Sequence, residues 1–315
     1  MTLREQIRHN YLMTVLLLGF FGLLIAGVAG ALYGIYGQGA AIAVAVGGIA
    51  WAAFSWFGST GVVSSVTGAR PVTKQDQPEL YRIVENLSIA AGLPATPELR
   101  IVDDPAPNAF AAGRNSKNCY VCVTTGLLQT MDHREIEGVI SHELAHVQHR
   151  DVRLMTLVAV LVGVIALISD IALRMLFFGG RRRSNGPGDL VILAIGICGL
   201  ILAPIAAVGI QMAISRKREY LADAGGAEIS GDAEGLALAL RKLMEDPREI
   251  RDTSKSTAHL YIEGPLRKAS GPRALLGGMF DTHPPLEDRI AALERIGGFT
   301  LPPDGEPVAT AESAS

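Results

Sequence analysis

The stretch Ser141-His142-Glu143-Leu144-Ala145-His146-Val147-Gln148-His149-Arg150-Asp151 carries two histidines four positions apart, with a glutamate directly after the first. Residues at i and i+4 lie one above the other on a single helical face, so both imidazoles can reach one metal ion. Glu143 points to an adjacent position, from which it can take a proton from a water held at that ion. This is the working core expected of a zinc-dependent peptidase. The competing reading is a polar helix with two solvated histidines.

Working outward, the helix is expected to begin near Asp132, whose side chain can cap it while Glu135 reaches back from three residues on. Ile136, Val139 and Ile140 form its buried stripe, and the helix is expected to run on through Arg150 into a hydrophobic segment. Upstream, an amphipathic helix is expected over about Gln77–Ala91, with Leu80, Ile83, Val84 and Leu87 on one face. Short strands are expected at Glu98–Val102, Ala109–Ala112 and Asn118–Thr124, giving a small sheet beside the motif helix. Downstream, helices are expected over Arg216–Ala227, about Asp232–Met244 and about Pro285–Ile296. Arg248–Asp281 reads as mostly loop. No internal repeat is present.

The chain of 315 residues is 49% apolar and only 19% charged, against roughly 25% charged in an ordinary soluble protein. Mean hydropathy is +0.30. Between Arg8 and Arg70 there is no Lys, Arg, Asp or Glu. This stretch divides at Gly34–Gly39 into runs Tyr11–Tyr33 and Ala40–Phe57, each close to the roughly 20 residues that cross a bilayer. Both read as transmembrane helices joined as a hairpin. The first is too long for the apolar core of a secretory signal and is followed at once by a second span. A second pair follows the histidine motif. Leu154–Phe178 is interrupted by Asp170 and Arg174, and Leu190–Ser215 contains Pro204; the other reading of this pair is a buried hairpin of a soluble domain.

If both hairpins start and end on one side, that side holds Arg4, Arg8, Arg70, Lys74, Arg150, Arg153, Arg216, Lys217 and Arg218. Excess positive charge marks the cytosolic side; the loop Arg181-Arg182-Arg183 counts the other way. The resulting architecture is mainly α with a small β-sheet, an integral membrane zincin-type metallopeptidase with about four transmembrane helices. Its parts are an N-terminal hairpin (1–69), a first peptidase segment (70–153), a second hairpin (154–215), a second peptidase segment (216–298) and a disordered tail (299–315). The net charge of −3 gives no hint of nucleic-acid binding. Cys119 and Cys122, three apart on a strand, face opposite sides of a sheet and make a poor metal or redox pair.

Two histidines do not complete a catalytic zinc site, which needs three protein ligands and a water. Glu219 and Asp223, four apart on the helix after the second hairpin, are candidates: Glu219 as third ligand, Asp223 as acceptor from the far nitrogen of a ligand histidine. Alternatively they are a solvated helical pair. His283, held by Pro284 and Pro285, is either a donor to the developing oxyanion or an ordinary residue of a helix-start loop. His149 is expected on the helix flank.

These motifs together resemble the HtpX-type membrane metallopeptidases, of the same superfamily as the prenyl-CAAX endoproteases. The resemblance rests on the N-terminal hairpin, Pro107–Ala111, Thr125–Leu128, His142–His146 with Asp151, Glu219–Asp223, and Thr282–Pro285 with Glu287 and Arg289. It implies one zinc ion per chain on His142, His146 and Glu219, with Glu143 as general base. It implies that Asn108–Ala111 is an edge strand to which substrate backbone adds, and that His283 and Arg289 lie near the substrate. The implied activity is cleavage of misfolded or damaged membrane proteins at the cytoplasmic face of the inner membrane, with the bilayer and unfolded membrane proteins as partners. Two alternatives keep the fold: a catalytically silent membrane scaffold, and a peptidase facing the periplasm.

Overall fold

The computed structural model describes residues 3–161, 216–248, 260–262 and 284–302. The chain opens with two helices, α1 (Leu3–Tyr36) and α2 (Gln38–Thr67), packed on each other and joined at Gly37, whose φ of 80° suits glycine. The two expected spans fall on them. Among the described residues no single helix is long and apolar enough to cross a membrane. Ala45–Trp51 and Trp56–Thr67, bent by 66° against each other, reach the necessary length and composition together. The outer faces carry large apolar side chains in the open, among them Tyr11, Leu23, Val46, Ile49 and Phe57. Most of the second hydrophobic pair, 162–215, lies outside the described residues.

Four strands follow: β1 (Arg70–Pro71), β2 (Glu98–Val102), β3 (Ala109–Asn115) and β4 (Asn118–Thr124), in the sheet order β1-β2-β4-β3. β2 and β4 are parallel and the other two pairings antiparallel, which leaves β3 on an edge. β2 and β4 keep the bounds expected from the sequence; β3 runs three residues further, to Asn115.

Both faces of this sheet are covered, and that explains the near-continuous apolar strands. Leu99, Ile101, Ala109, Ala111, Cys119, Val121 and Val123 join one core with the helices α3 (Pro78–Ala90), α5 (His133–Gln148) and α7 (Ala233–Glu245). Phe110, Ala112, Tyr120 and Cys122 join a second core with Val63 of α2 and with Met155, Ala159 and Val160 of the helical stretch 151–161. Cys119 and Cys122 are therefore on opposite faces, free and buried, as strand periodicity requires.

After the short α4 (Thr125–Thr130), α5 starts with the expected capping box: Asp132 Oδ1 accepts from Glu135 N at 2.9 Å, and Glu135 Oε2 accepts from Asp132 N at 2.8 Å. Val139, Ile140 and Leu144 are fully buried, each contributing roughly 1.5–3 kcal/mol of transfer free energy; Ile136 is only half-buried. The continuation of α5 through Arg150 is a misreading. α5 ends at Gln148, Arg150 takes a left-handed φ of 62°, and helix resumes at 151. Gln148-His149-Arg150-Asp151 contains no glycine or proline to mark the break, so the sequence does not reveal it.

α6 (Arg216–Ser230), α7 and α8 (Leu286–Gly297) complete the described chain. α6 lies so close to α5 that a Cβ on Gly226 would meet the backbone N and Cα of His142 at 2.9 and 3.0 Å. Backbone cannot yield as a side chain can. Gly226→Ala is therefore expected to lower stability by about 1–3 kcal/mol, read from thermal unfolding of the full chain in detergent. An unchanged midpoint would mean that the two helices stand further apart.

Candidate metal centre

α5 presents His142 and His146 on one face, with ring centroids 4.8 Å apart and planes at 88°. Close contact with α6 brings Glu219 between them. Its Oε2 lies 3.9 Å from His142 Nε2 and its Oε1 3.7 Å from His146 Nε2. One ligand atom from each of the three residues falls within 4.8 Å of the others, and all three side chains are buried. Two imidazole nitrogens and a carboxylate, converging with their donor atoms facing one point, fit a small divalent cation of the zinc type.

The outward nitrogens support this fit. His142 Nδ1 is 3.0 Å from Asp223 Oδ1, and His146 Nδ1 is 3.1 Å from Asp151 Oδ2. Each carboxylate takes the proton side of its ring and leaves Nε2 facing Glu219, which orients an imidazole for metal ligation. The sequence offered Asp223 for such a role. Asp151 had none, because only the reversal at Arg150 returns its side chain to His146.

The two rings differ electrostatically. Burial draws His142 down to about 4 despite the hydrogen bond to Asp223, so it is neutral near pH 7. Burial also opposes a charge on His146, but the hydrogen bond to Asp151 and the charges of Glu219, Asp151 and Glu143 outweigh it and raise the ring to about 9. A metal therefore has to displace a proton from His146.

Glu143, also buried, sits beside this group. Burial raises its carboxyl to about 7, while the charge of His146 and the Ala111 N–H, which donates to it, pull the other way. A carboxylate poised there can accept and return a proton near neutrality.

Arg289 of α8 is fully buried. Its Nε and Nη2 donate to Asp223 Oδ2 and Oδ1 at 2.9 and 2.7 Å, and its Nη1 to the Ile262 carbonyl at 3.2 Å. Nη1 also lies 3.5 Å from Glu219 Oε2. Nη2 is 3.4 Å from both ring nitrogens of His142, the position of a cation resting beside the ring. The resemblance places Arg289 near substrate; the structure seats it behind His142, where it fixes Asp223 and Glu219. Burial raises the Asp223 carboxyl, but Arg289 and the His142 hydrogen bond prevail and hold it below its ordinary range. His149, expected on the flank, is buried against α6 with its ring near Gly225, outside the group of three. His283 lies outside the described residues.

Asn108–Ala111 reaches the sheet edge by way of β3, but the edge is partly occupied. The Ala109 carbonyl accepts the Ile262 N–H at 3.0 Å, and the Gly113 N–H donates to Thr156 Oγ1 at 2.9 Å. Tyr261 packs edge-on against Phe110, with centroids 5.0 Å apart.

Residues 74–296 match the sequence profile of Peptidase family M48. A Protease HtpX homolog of Tropheryma whipplei (strain Twist) is 44% identical over 247 residues, covering 78% of this chain and 82% of that protein. Another, of Streptococcus gordonii, is 40% identical over 301 residues, 93% of this chain and 99% of that one. A crystal structure of Ste24p from S. mikatae aligns with a TM-score of 0.45 and 16% identity, covering 92% of this chain and 66% of the other.

Proposed function

Since the chain belongs to Peptidase family M48, we propose that it is a zinc-dependent endopeptidase in which Glu143 acts as general base, with unfolded or damaged membrane proteins as its substrates. The observation that carries this reading is the convergence of His142, His146 and Glu219, with both histidines fixed from behind by carboxylates and Glu143 alongside. A zinc ion bound there would polarise the scissile carbonyl and lower the pKa of a water molecule. Glu143 would accept a proton from the attacking water and return one to the leaving amine. The Ala111 N–H holds the Glu143 carboxylate in place. Asp223 and Asp151 keep each imidazole in the ligating tautomer. His283, three positions before Leu286 in the sequence, is the candidate donor to the oxyanion.

Substrate is proposed to lie extended beside β3, an edge strand close to Glu143, with a substrate N–H taking the place of the Ile262 N–H on the Ala109 carbonyl. The charge-free stretch between Arg8 and Arg70, the apolar side chains exposed on α1 and α2, and the second hydrophobic pair favour a multi-pass protein of the cell membrane. The positive charge gathered at the ends of the hairpins favours a catalytic domain on the cytoplasmic side.

The test uses the full chain, purified in detergent under chelator and reloaded with zinc, acting on an unfolded reporter protein beside Glu219→Ala. Expected are one zinc per chain, cleavage that needs it, and a variant with weakened zinc binding and little cleavage. Zinc bound at full stoichiometry by Glu219→Ala would place the third ligand elsewhere. A zinc-loaded wild-type chain that cuts nothing would favour the silent scaffold.

A further inference from the structure

One polar side chain inside the N-terminal hairpin has no part in the chemistry above. Asn10, in α1, is 2% exposed. Its Nδ2 donates to the His149 carbonyl at 3.1 Å and to Asp151 Oδ1. Both partners are acceptors, so the amide can only present its NH2 end to them. Asp151 is itself fully buried, and its other oxygen faces His146 Nδ1. The contacts form a line from α1 to a metal ligand: the Asn10 amide, the Asp151 carboxylate, the His146 imidazole. The turn at Arg150 makes the line possible, because it presents the His149 carbonyl and the Asp151 side chain to the same helix.

The surroundings hold α1 in register with that turn. Arg153, two residues beyond Asp151, lies 4.3 Å from the Trp56 ring of α2 and 5.8 Å from the ring of Tyr11, the residue next to Asn10. Thr14 is buried one turn along from Asn10, but its hydroxyl donates within α1, to the Asn10 carbonyl at 2.8 Å, a bond that does not reach the turn. The buried Arg218 guanidinium adds a positive charge within electrostatic reach of Asp151 and Glu219. An amide side chain buried at 2% exposure needs partners, and here they are the residues that hold His146.

We propose that Asn10 is a positioning residue for the metal centre: through Asp151 it fixes the orientation of His146, making the N-terminal hairpin part of the catalytic apparatus as well as an anchor. The inference rests on the metal-site reading above. A buried carboxylate that loses one of its donors is freer to turn away from its histidine, and partners of this kind typically change metal affinity by about 10–100-fold. The catalytic segments without α1 would on this account bind metal poorly even where they fold.

The experiment measures zinc affinity by chelator competition on the full chain in detergent, for wild type, Asn10→Leu, Thr14→Val and Asp151→Asn, and for Asn10→Leu combined with Asp151→Asn. Leucine keeps roughly the volume of asparagine and suits an apolar helix. Thr14→Val disturbs the same stretch of α1 without touching Asp151. Expected are affinity about tenfold weaker in Asn10→Leu, within twofold of wild type in Thr14→Val, and no further loss when Asn10→Leu is added to Asp151→Asn. Wild-type affinity in Asn10→Leu would overturn the proposal, and so would independent, additive losses in the double variant. If Asn10→Leu fails to fold, Asn10→Ser is read against the same criteria. Failure of the wild-type chain itself to take up zinc would overturn the metal-site reading, and the role of Asn10 with it.

Discussion

Glu143→Gln is expected to lower cleavage by about 10²–10⁴-fold while leaving zinc content unchanged. The amide keeps the shape of the carboxylate and can still receive the Ala111 N–H through its oxygen, but it cannot accept a proton. Glu143 is not among the three converging donors, so metal binding does not depend on it. The pH profile provides a second signature. Burial holds the metal-free Glu143 carboxyl at about 7, and a cation alongside draws it lower. A general base works deprotonated, so turnover should fall as pH drops through that group's pKa, and the residual turnover of Glu143→Gln should lack this acid limb. Steady-state cleavage from pH 5 to 9, with zinc measured on the same samples, checks both points. Near wild-type turnover in the variant would remove Glu143 from the role.

Arg289→Met is expected to cost about 3–5 kcal/mol of stability in the metal-free chain, the range for breaking one side of a buried ion pair. Arg289 and Asp223 are both fully buried and share two hydrogen bonds, so losing the guanidinium leaves the buried carboxylate to His142. In the wild-type chain Asp223 is held below its ordinary value of 3.8, so its contribution is present above that pH and fades as pH falls through the depressed folded value. Without Arg289, burial acts against the charged form with less opposition and the carboxyl pKa rises. The deficit of the variant should therefore be larger at neutral than at acidic pH. Thermal unfolding at the two pH values measures this. A second variant, Arg289→Met with Asp223→Leu, should recover part of the loss, because two apolar groups replace a stranded charge. A loss below about 1 kcal/mol in Arg289→Met would mean that water or another cation reaches Asp223.

Several features of this molecule were open to inspection in the sequence because the interactions behind them are local. The capping box at Asp132 and Glu135 is set by residues three apart, and β2 and β4 begin and end where the flanking turn residues put them. The opposite facing of Cys119 and Cys122 follows from the two-residue repeat of a strand. His142 and His146 share a face for the same kind of reason. The break at Gln148–Asp151 was hidden, since no glycine or proline marks it and only the backbone angle of Arg150 distinguishes a turn from a continuing helix.

The sequence by itself determined the helix that presents two imidazoles and a glutamate, the small sheet beside it, the charge-free N-terminal stretch and the family. Tertiary structure decided what surrounds the imidazoles. Glu219 and Asp223 reach them because glycine at 226 lets α6 approach the backbone of α5. Arg289 arrives from α8 to neutralise Asp223, Asp151 returns through a left-handed turn, and Asn10 meets it from the first helix. Helical and strand periodicities extend over a few residues and follow from backbone geometry. Contacts between residues far apart in the chain depend on how whole elements pack, and no spacing along the sequence records that.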